Sequence, residues 1–497
     1  MTPRPESLPP RPFYEASESA PSASQRLLLI SYVFPPALAS GALRWQKLSH
    51  YVAERGWALD VVTLDPSCVD SQDLDRLADL ADGTRVYGVP APSLRIGALV
   101  RAAWGAYRRA RARLRRQRGG SPAALATSGG IVTEARPGSF GRREIRWSFG
   151  SPRGFIRAYS AWHEYAFSER WARAAAALAE RLIEPGVHTT VVSSGPPHTG
   201  YEAGRLVSRA TGLPFVMDMR DPWSLAERLL EDVGTPLWLL LAARRERRAV
   251  AQAALVVTNT EPFRVAMSRL YPDAAHRVIT VMNGSDEGPL PPTRHDDRFV
   301  IAYAGAIYLD RDPRILFRAV ARLIDELELT PQAIGLEFIG HVDRYGAVPV
   351  SDIAREEGLA EFVSIQPPRP HRAALEFLAR ATVLVSLPQD NDLAIPAKIF
   401  EYVRFDAWVL VMATPESATG LLLRDSGVDV VAPGDLEEIV RRLRTHFLAH
   451  HRGIRPTRVV SDGRFSRRTQ AESLLDAIAG LRVADRRRPP IHSGATA

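Results

Sequence analysis

The chain has 497 residues, of which 45% are hydrophobic and 24% charged, and its formal net charge is +8. This length predicts two to four domains, and the composition is that of a globular protein rather than a disordered or fibrous one. A single cysteine, Cys68, excludes an internal disulfide and favours a reducing compartment. The densest apolar run, at residues 237–243, is too short for a membrane span, which needs about 20 residues.

The N-terminal part of the chain begins with a tail and continues with a β-α-β unit. Residues 1–25 are rich in Pro and Ser, which predicts a disordered tail. A strand at 26–32, a loop at 34–42, a helix at 43–55 and a strand at 58–64 then predict the start of a parallel sheet. The loop contains Ser40 and Gly41, which could cradle a phosphate. It lacks GxGxxG and a P-loop, which counts against dinucleotide oxidoreductases and NTPases.

An arginine-rich insertion is predicted at about residues 97–165, with a flexible stretch at 119–154. The segment from Arg101 to Arg118 holds eight arginines, with Trp104, Tyr107 and Leu114 between them. A basic amphipathic helix on an anionic membrane surface is one interpretation. A solvated helix face and a nucleic-acid contact are the alternatives.

Two β/α series follow, and they predict an α/β fold with two doubly wound Rossmann-like domains. The first domain spans residues 26–290; its later part has strands at 189–193, 214–218, 254–259 and 277–282, and helices at 169–183, 199–210, 237–252 and 261–270. A Pro-rich linker at 287–297 separates it from the second domain, 291–450. That domain has strands at 299–304, 335–339, 362–365, 382–387, 408–413 and 428–431, with helices at 313–326, 371–378, 396–404 and 436–447. A last helix, 471–481, is expected to pack back across the linker and to end in a frayed tail.

Ligands of such sheets bind outside the carboxyl ends of the strands, which directs attention to residues 386–402. A strand there leads through a polar loop into a helix that Pro396 is expected to open at its first position. The helix N-terminus favours an anion, Lys398 can neutralise a phosphate, and Glu401 can accept hydrogen bonds from two ribose hydroxyls. These features together suggest a nucleotide diphosphate.

Lysine is rare in this chain. Only Lys47 and Lys398 occur among 64 lysines and arginines, so Lys398 is a candidate for a compact point charge. Chance survival of two lysines is the alternative.

Six segments in order resemble glycosyltransferase family 4, the retaining GT-B transferases, most closely the bacterial branch that builds surface or secreted glycans. They are LLLISYVFPPALASGALRWQKL, SSGPPHTGY, LPFVMDMRDPW, VITVMNGSD, YAGAIYLDRDP and IPAKIFEYV, spread over roughly residues 27–445. The resemblance implies two Rossmann-like domains that face each other across a cleft. It also implies transfer of a sugar from a nucleotide-diphospho donor to an acceptor hydroxyl, with the anomeric configuration retained.

The resemblance also assigns roles to residues of this sequence. His198 contacts the donor sugar near the reacting centre, and Arg311 and Lys398 hold the diphosphate and stabilise the leaving group. The donor-binding residues are Gly41, Gly305, Arg311, Pro396, Lys398 and Glu401, and the acceptor side is formed by Asp218, Arg220 and Asp221. Three structural alternatives stay open: a solvated loop histidine, an internal ion pair within 218–221, and pairing of Arg311 with Asp310 or Asp312. The cluster from Arg244 to Arg248 is interpreted as a solvated helix face, with membrane docking as its alternative.

Two positions depart from the family pattern. The first glutamate of the E-x7-E motif falls at Leu393, where Asp392 next to it could substitute, and an arginine often found after Gly305 is Ala306 here. No metal site and no cofactor are predicted, since the nucleotide sugar is a substrate. The expected partners are the donor, a glycan or lipid-linked acceptor and an anionic membrane surface at Arg101 to Arg118, in a cytoplasmic or peripheral inner-membrane location. A GT-B nucleotide-sugar epimerase and a membrane-associated scaffold with a decayed site are the alternatives, and nucleic acid is not expected.

Overall fold

The computed structural model describes residues 10–17, 25–69, 71–92, 139–141, 145, 152–230, 233–286, 288–293, 297–308, 311–346, 348–387, 391–459 and 463–486. The chain divides into two compact units. The first comprises residues 1–134, 147–215 and 235–245, and the second comprises residues 135–146, 216–234 and 246–497. The segment from Arg101 to Arg118 lies outside the described residues, so its membrane contact stays a prediction, as do the predicted domain boundaries.

The first unit is built on a mostly parallel sheet. Its strands are β1 (Tyr14–Glu15), β2 (Gln25–Ser31), β3 (Trp57–Leu64), β4 (Thr84–Val89) and β6 (His188–Gly195), in the order β1-β4-β3-β2-β6. Helices α1 (Leu43–Glu54), α2 (Asp75–Ala78), α3 (Pro152–Leu182) and α4 (Thr199–Thr211) connect or follow them. β2, β3 and β6 are buried almost throughout, as expected for parallel strands covered on both faces.

The structure corrects two expectations in this unit. Residues 13–16 are not a disordered tail, because Phe13 and Ala16 donate backbone hydrogen bonds to Val86 and Thr84 and so add an antiparallel edge strand to β4. Helix α3 begins at Pro152 rather than near residue 169, so the predicted insertion, 97–165, overlaps ordered structure. The alanine-rich half of α3, including Ala172 and Ala175, packs with Trp171 on the sheet and predicted the helix. The first half, PRGFIRAYSAWHEYA, was not predicted as helix.

The second unit contains three parallel strands, β7 (Phe215–Met219), β9 (Leu255–Thr258) and β10 (Val278–Thr280). Helix α5 (Pro236–Gln252) begins in the first unit and ends in the second, and α6 (Glu261–Leu270) follows β9. The pair β5 (Ser139–Gly141) and β8 (Arg228–Leu230) is antiparallel. The prediction of a flexible stretch at 119–154 is therefore wrong for residues 139–141, which gain strand partners distant in sequence.

The same unit carries a six-stranded parallel sheet in the order β15-β12-β11-β16-β17-β18. Its strands are β11 (Phe299–Ala306), β12 (Ile334–His341), β15 (Val363–Gln366), β16 (Val383–Ser386), β17 (Trp408–Met412) and β18 (Asp429–Val431), and a short hairpin pairs β13 (Arg344–Tyr345) with β14 (Val348–Pro349). The helices are α7 (Arg314–Leu327), α8 (Val350–Glu356), α9 (His371–Leu378), α10 (Ala397–Tyr402), α11 (Ala418–Leu423), α12 (Leu436–His451) and α13 (Arg467–Arg486). Two apolar clusters cover the sheet, one with α7 and α12 and the other with α10 and α11. The predicted strands and four helices between 299 and 451 are confirmed, while α8 and α11 were not anticipated.

The segment that follows β10 packs tightly on the start of α13. The Ser285 N–H donates to the Phe465 carbonyl, and the Arg467 N–H donates to the Ser285 carbonyl. The Arg467 guanidinium also donates to the Asp286 carboxylate. Gly284 has φ +67°, and a Cβ there would lie 2.6 Å from the Cα of Arg467. This glycine is therefore required by both its turn and the close approach of α13.

Within the described residues, no helix combines the length and apolarity needed to cross a membrane. The same residues hold no group of three or more His, Cys, Asp or Glu side chains placed to bind a metal ion.

Candidate functional site

The carboxyl end of β11 and the first turn of α10 form one cluster in the second unit. The Lys398 ammonium lies 3.6 Å from the ring centroid of Tyr303, a cation–π contact. Gly305, two residues further along β11, faces the same ammonium, since a Cβ at this position would lie 2.8 Å from Nζ. The structure therefore brings together two predicted residues, Gly305 and Lys398, and adds an aromatic ring that the sequence did not indicate.

Two paired glycines let β11 and β12 approach each other closely at this strand end. Gly305 has φ +150° and is paired in register with Gly340 of β12, which has φ +122°. A Cβ on Gly340 would lie 2.1 Å from the carbonyl oxygen of Gly305, so side chains are excluded from both positions. Gly340 was not predicted as a site residue. The sequence does place a glycine near the end of each of the domain's first two strands, and this pattern could have indicated Gly340.

Tyr402 fixes α10 against β11. Its hydroxyl accepts a hydrogen bond from the Ala304 N–H (2.9 Å) and donates one to the Ala304 carbonyl (3.2 Å). The Tyr402 side chain is fully buried, so both groups of Ala304 depend on it. Lys398 lies four residues before Tyr402 on the same face of α10, so this anchor also fixes the position of Lys398 relative to the end of β11.

The loop before α10 is anchored from two sides. Thr260, the N-cap of α6, donates a 2.6 Å hydrogen bond to the Leu393 carbonyl. Ala418, at the start of α11, donates 2.7 Å to the Asp392 carbonyl, and the Leu393 N–H donates to Asn391 Oδ1 at 2.7 Å. Backbone groups at 391–393 thus set the entry of the chain into α10.

α10 differs from its predicted form. It runs from Ala397 to Tyr402, and Pro396 is its N-cap rather than its first residue. Six residues give fewer aligned peptide dipoles than the nine expected for 396–404, so the helix N-terminus contributes less positive potential than predicted. Charged side chains must supply most of the attraction for an anion.

Two cations lie near each other at this site. Arg311 stacks on Tyr308, with Cζ 4.2 Å from the ring centroid, and its Nη1 donates to the Ala306 carbonyl at 3.5 Å. Desolvation lowers the pKa of Lys398 well below its usual value, and the charge of Arg311 lowers it further. In the described part of the chain, no carboxylate pairs with the Lys398 ammonium. Such a pair of cations is stabilised by a bound anion.

The carboxylate beside Arg311 in sequence has a different partner. Asp312 accepts hydrogen bonds from the backbone N–H and the guanidinium of Arg314, both at 3.0 Å. Asp310 lies outside the described residues, so its pairing with Arg311 stays a prediction.

Glu401 lies on the same helix as Lys398 and is partly exposed. Its Oε1 is 3.6 Å from Nε2 of His371, the first residue of α9. Desolvation raises the pKa of the Glu401 carboxyl, and the nearby His371 and Arg467 act against this rise. A carboxylate at this place can accept hydroxyl hydrogen bonds, as predicted for a ribose.

The two departures from the family pattern have local explanations. Leu393 contributes backbone hydrogen bonds to the loop, and its side chain has no polar atom for a sugar. The Asp392 carboxylate accepts a long hydrogen bond from Thr414 (3.5 Å) and is exposed, so it stays available as a substitute. Ala306 offers its carbonyl to both Tyr303 and Arg311.

Gly41 and His198 belong to the first unit. Gly41 lies in a 3-10 turn, Ser40–Ala42, directly before α1, and is partly buried. His198 is the N-cap of α4, and its ring lies 5.7 Å from that of Tyr201. Both positions follow a parallel strand, as predicted, and their roles stay predictions.

The predicted acceptor-side residues lie at the carboxyl end of β7 in the second unit, with Asp218 in the strand and Arg220 and Asp221 directly after it. Asp218 and Arg220 are buried, and Asp221 is exposed. The loop after them is held by Glu246, whose carboxylate accepts hydrogen bonds from the Ser224 N–H (2.9 Å) and Oγ (2.5 Å). Glu246 is fully buried although it lies within the cluster from Arg244 to Arg248, so the interpretation of that cluster as a solvated face is wrong for this residue.

The chain resembles curated glycosyltransferases over part of its length. It is 29% identical over 197 residues to the D-inositol 3-phosphate glycosyltransferase 1 of Catenulispora acidiphila, covering 37% of this chain and 46% of that protein. It is 27% identical over 208 residues to the D-inositol 3-phosphate glycosyltransferase of Thermobifida fusca, covering 38% and 47%. The chain thus spans about half the length of the curated relatives it matches. No family model matches the chain.

Solved structures are similar over nearly the whole chain. TarM aligns with a TM-score of 0.55 at 9% identity, over 92% of this chain and 99% of that one. The sucrose-phosphate synthase of Thermosynechococcus elongatus aligns with a TM-score of 0.52 at 13% identity, over 93% and 100%. Anabaena HepE, in complex with UDP-glucose, aligns with a TM-score of 0.51 at 11% identity, over 92% and 99%. The fold is therefore that of the GT-B glycosyltransferases, α/β with parallel Rossmann-like sheets.

Proposed function

We propose that this protein is a glycosyltransferase that moves a sugar from a nucleotide-diphospho donor to an acceptor hydroxyl. The observation that carries the proposal is the cluster of Lys398, Gly305 and Arg311 at the carboxyl end of β11 in the six-stranded sheet. Parallel sheets of this type bind nucleotides at that end. The names of the partial relatives and the UDP-glucose bound to the HepE structure support the same class of substrate.

The proposed chemistry depends on stabilising the leaving nucleoside diphosphate. Negative charge grows on the diphosphate as the bond to the sugar breaks, and two nearby cations stabilise that charge more than they stabilise the ground state. Gly305 lets the diphosphate approach the backbone, and Glu401 accepts hydrogen bonds from the ribose hydroxyls. His198, Gly41, Asp218, Arg220 and Asp221 keep their predicted donor and acceptor roles as part of this proposal.

The finer points are proposals drawn from the resemblance to family 4. They are retention of the anomeric configuration, a glycan or lipid-linked acceptor in surface or secreted glycan synthesis, and action without a metal ion. A cytoplasmic enzyme that associates with the inner membrane surface through Arg101 to Arg118 is part of the same proposal.

The test is a transfer assay with UDP-, GDP-, ADP- and dTDP-sugars and a panel of sugar and polyprenyl-phosphate-sugar acceptors. We expect one nucleotide class to release its nucleoside diphosphate in an acceptor-dependent manner, and NMR of the product to show a retained anomeric configuration. A product with an inverted linkage would overturn retention. Conversion of the donor to its epimer without an acceptor would favour the epimerase instead.

A further inference from the structure

The Lys398 ammonium has an aromatic ring where a carboxylate would be the usual partner. Its Nζ lies 3.6 Å from the ring centroid of Tyr303, a distance at which a cation is attracted to the ring face. An aspartate or glutamate in that position would compete with a phosphate for the ammonium. A ring face attracts the cation without offering an oxygen that a phosphate must displace.

The Tyr303 ring is itself held rigidly. Its side chain is 1% exposed, its hydroxyl donates a 2.8 Å hydrogen bond to the Ala306 carbonyl, and its ring packs against Phe338 with centroids 5.7 Å apart. The ring therefore has one position, and its face is a fixed surface against which the ammonium lies.

Gly305 lies beside the Tyr303 ring and leaves room for the ammonium. A Cβ on this residue would lie 2.8 Å from Nζ and 3.4 Å from the Tyr303 hydroxyl. Tyr303 and Gly305 point to the same side of β11, as residues two apart in a strand do. The strand thus supplies a ring that holds the cation and, at Gly305, the space that the lysine head group needs.

We propose that Tyr303 is a positioning residue that holds the Lys398 ammonium through its ring face and presents it to the diphosphate of the donor. This inference rests on the proposed function, because the diphosphate is the ligand assumed there. Tyr303 itself touches Lys398 and acts through it. The ring face carries the effect, and the hydroxyl serves to fix the ring.

The test uses the two lysines of the full-length chain. Protein labelled with ¹³C and ¹⁵N at lysine gives Cε signals from Lys47 and Lys398 alone, and Lys47→Arg assigns them. The Lys398 signal is titrated with pH, and then with pyrophosphate and with UDP, GDP, ADP and dTDP. These titrations are compared in the unsubstituted protein, Tyr303→Leu and Tyr303→Phe.

We expect Tyr303→Leu to lower the pKa of Lys398 and to weaken pyrophosphate binding by about 3- to 30-fold, the range that follows from loss of a partly desolvated cation–π contact. Tyr303→Phe keeps the ring face, so we expect its binding to stay within about twofold. Unchanged Lys398 titration in Tyr303→Leu would overturn the inference. Equal losses in both variants would also overturn it, because they would place the effect in the hydroxyl.

A second series keeps the proposal testable if Tyr303→Leu does not fold. Phenylalanines with zero, one or three ring fluorines at position 303 keep the shape and withdraw charge from the ring face step by step. We expect the Lys398 pKa and pyrophosphate affinity to fall in that order, and no trend would contradict the proposal. If no phosphate ligand moves the Lys398 signal of the unsubstituted protein, the proposed function fails, while the ligand-free titrations still decide the role of the ring.

Discussion

At the scale of single residues, the site combines groups that oppose each other until an anion binds. Lys398 is partly buried, and both its desolvation and the charge of Arg311 lower its pKa. A diphosphate between the two cations would offset both effects, which makes binding dependent on the protonation of one amine.

The first prediction at this scale concerns pH. Because the lowered pKa belongs to a cationic group, the ammonium is complete below that pKa and is lost as pH rises through it. Nucleoside diphosphate affinity should therefore fall with rising pH, and binding above the lowered pKa should take up protons. Calorimetry in two buffers of different ionisation enthalpy measures the uptake. Lys398→Arg, which stays charged, should remove the dependence, and the same dependence in that variant would contradict the assignment.

The second prediction concerns Gly305. Gly305→Ala places a Cβ 2.8 Å from Nζ of Lys398 and strains a backbone at φ +150°, so nucleoside diphosphate affinity should fall about tenfold or more. Gly358→Ala is the matched control, since Gly358 also has a positive φ (+76°) but no heavy atom within 4 Å of the added Cβ. The control should lose stability but keep its nucleoside diphosphate affinity. Equal affinities in the two variants, measured by calorimetry, would argue against a role for Gly305.

The residue types of the site were readable from the sequence to different degrees. Lys398 was marked by its rarity and by its place after a strand and a proline. Tyr303 was not, because its contact joins residues 95 positions apart and depends on how α10 packs on β11. Gly340 required the register of β11 and β12 to become visible as the partner of Gly305.

At the scale of elements, α10 is short and owes its position to side-chain bonds rather than to its own length. Helices of this size are marginal by themselves, so tertiary contacts determine where they form. Tyr402 supplies those contacts through Ala304, and Thr260 supplies them through the preceding loop.

We predict that Tyr402→Phe destabilises the protein by about 1–3 kcal/mol, because the Ala304 N–H loses its buried partner. The variant should also bind nucleoside diphosphate more weakly, since α10 carries Lys398. Tyr87→Phe is the control: Tyr87 is also buried, and its hydroxyl makes no hydrogen bond to any described residue. Urea unfolding gives the stability change. Loss of stability with unchanged affinity would show that Tyr402 does not position the site.

Apolar strands and their order along the chain made most of the elements predictable. Continuous runs such as VIAYAG at β11 and WVLVM at β17 are the pattern of fully buried parallel strands. The elements that were missed are those with weak local patterns, such as β5 and β8, whose partners lie nearly 90 residues away. Glu246 was missed because three exposed arginines surround it in the sequence.

At the scale of the whole molecule, buried charge networks stabilise the fold away from the candidate site. In the first unit, Asp60 is fully buried and pairs with Arg26 (2.6 Å), Arg85 (2.6 Å) and His188 (3.1 Å). Burial alone would raise the pKa of Asp60, but the hydrogen bonds from His188 and Arg85 and the charges of Arg26 and Arg85 lower it.

We predict that Asp60→Asn costs about 3 kcal/mol at pH 7, because it removes the buried carboxylate that both Arg26 and Arg85 contact at 2.6 Å. Since the pKa of Asp60 is lower in the folded protein, its contribution is complete above the usual value of 3.8 and is lost as pH falls through the lowered one. Asp352→Asn, in an exposed pair with Arg355, should change stability by less than about 0.5 kcal/mol. Urea unfolding of both variants across pH 3–7 tests these predictions. A stability difference between the unsubstituted protein and Asp60→Asn that does not change with pH would contradict the account.

The most direct test of the central claim is thermal melting of the full chain with UDP-, GDP-, ADP- and dTDP-sugars. A ligand that binds the folded state at a hundredfold excess over its dissociation constant adds about 2.7 kcal/mol of apparent stability. The account predicts a shift with one nucleotide class that Lys398→Ala abolishes. The shift should survive in Lys47→Ala. Lys47 lies on α1 and pairs with Asp79, which directly follows α2, so its ammonium already has a carboxylate partner. A shift that persists in Lys398→Ala would contradict the assigned site, and no shift with any donor would contradict the glycosyltransferase proposal.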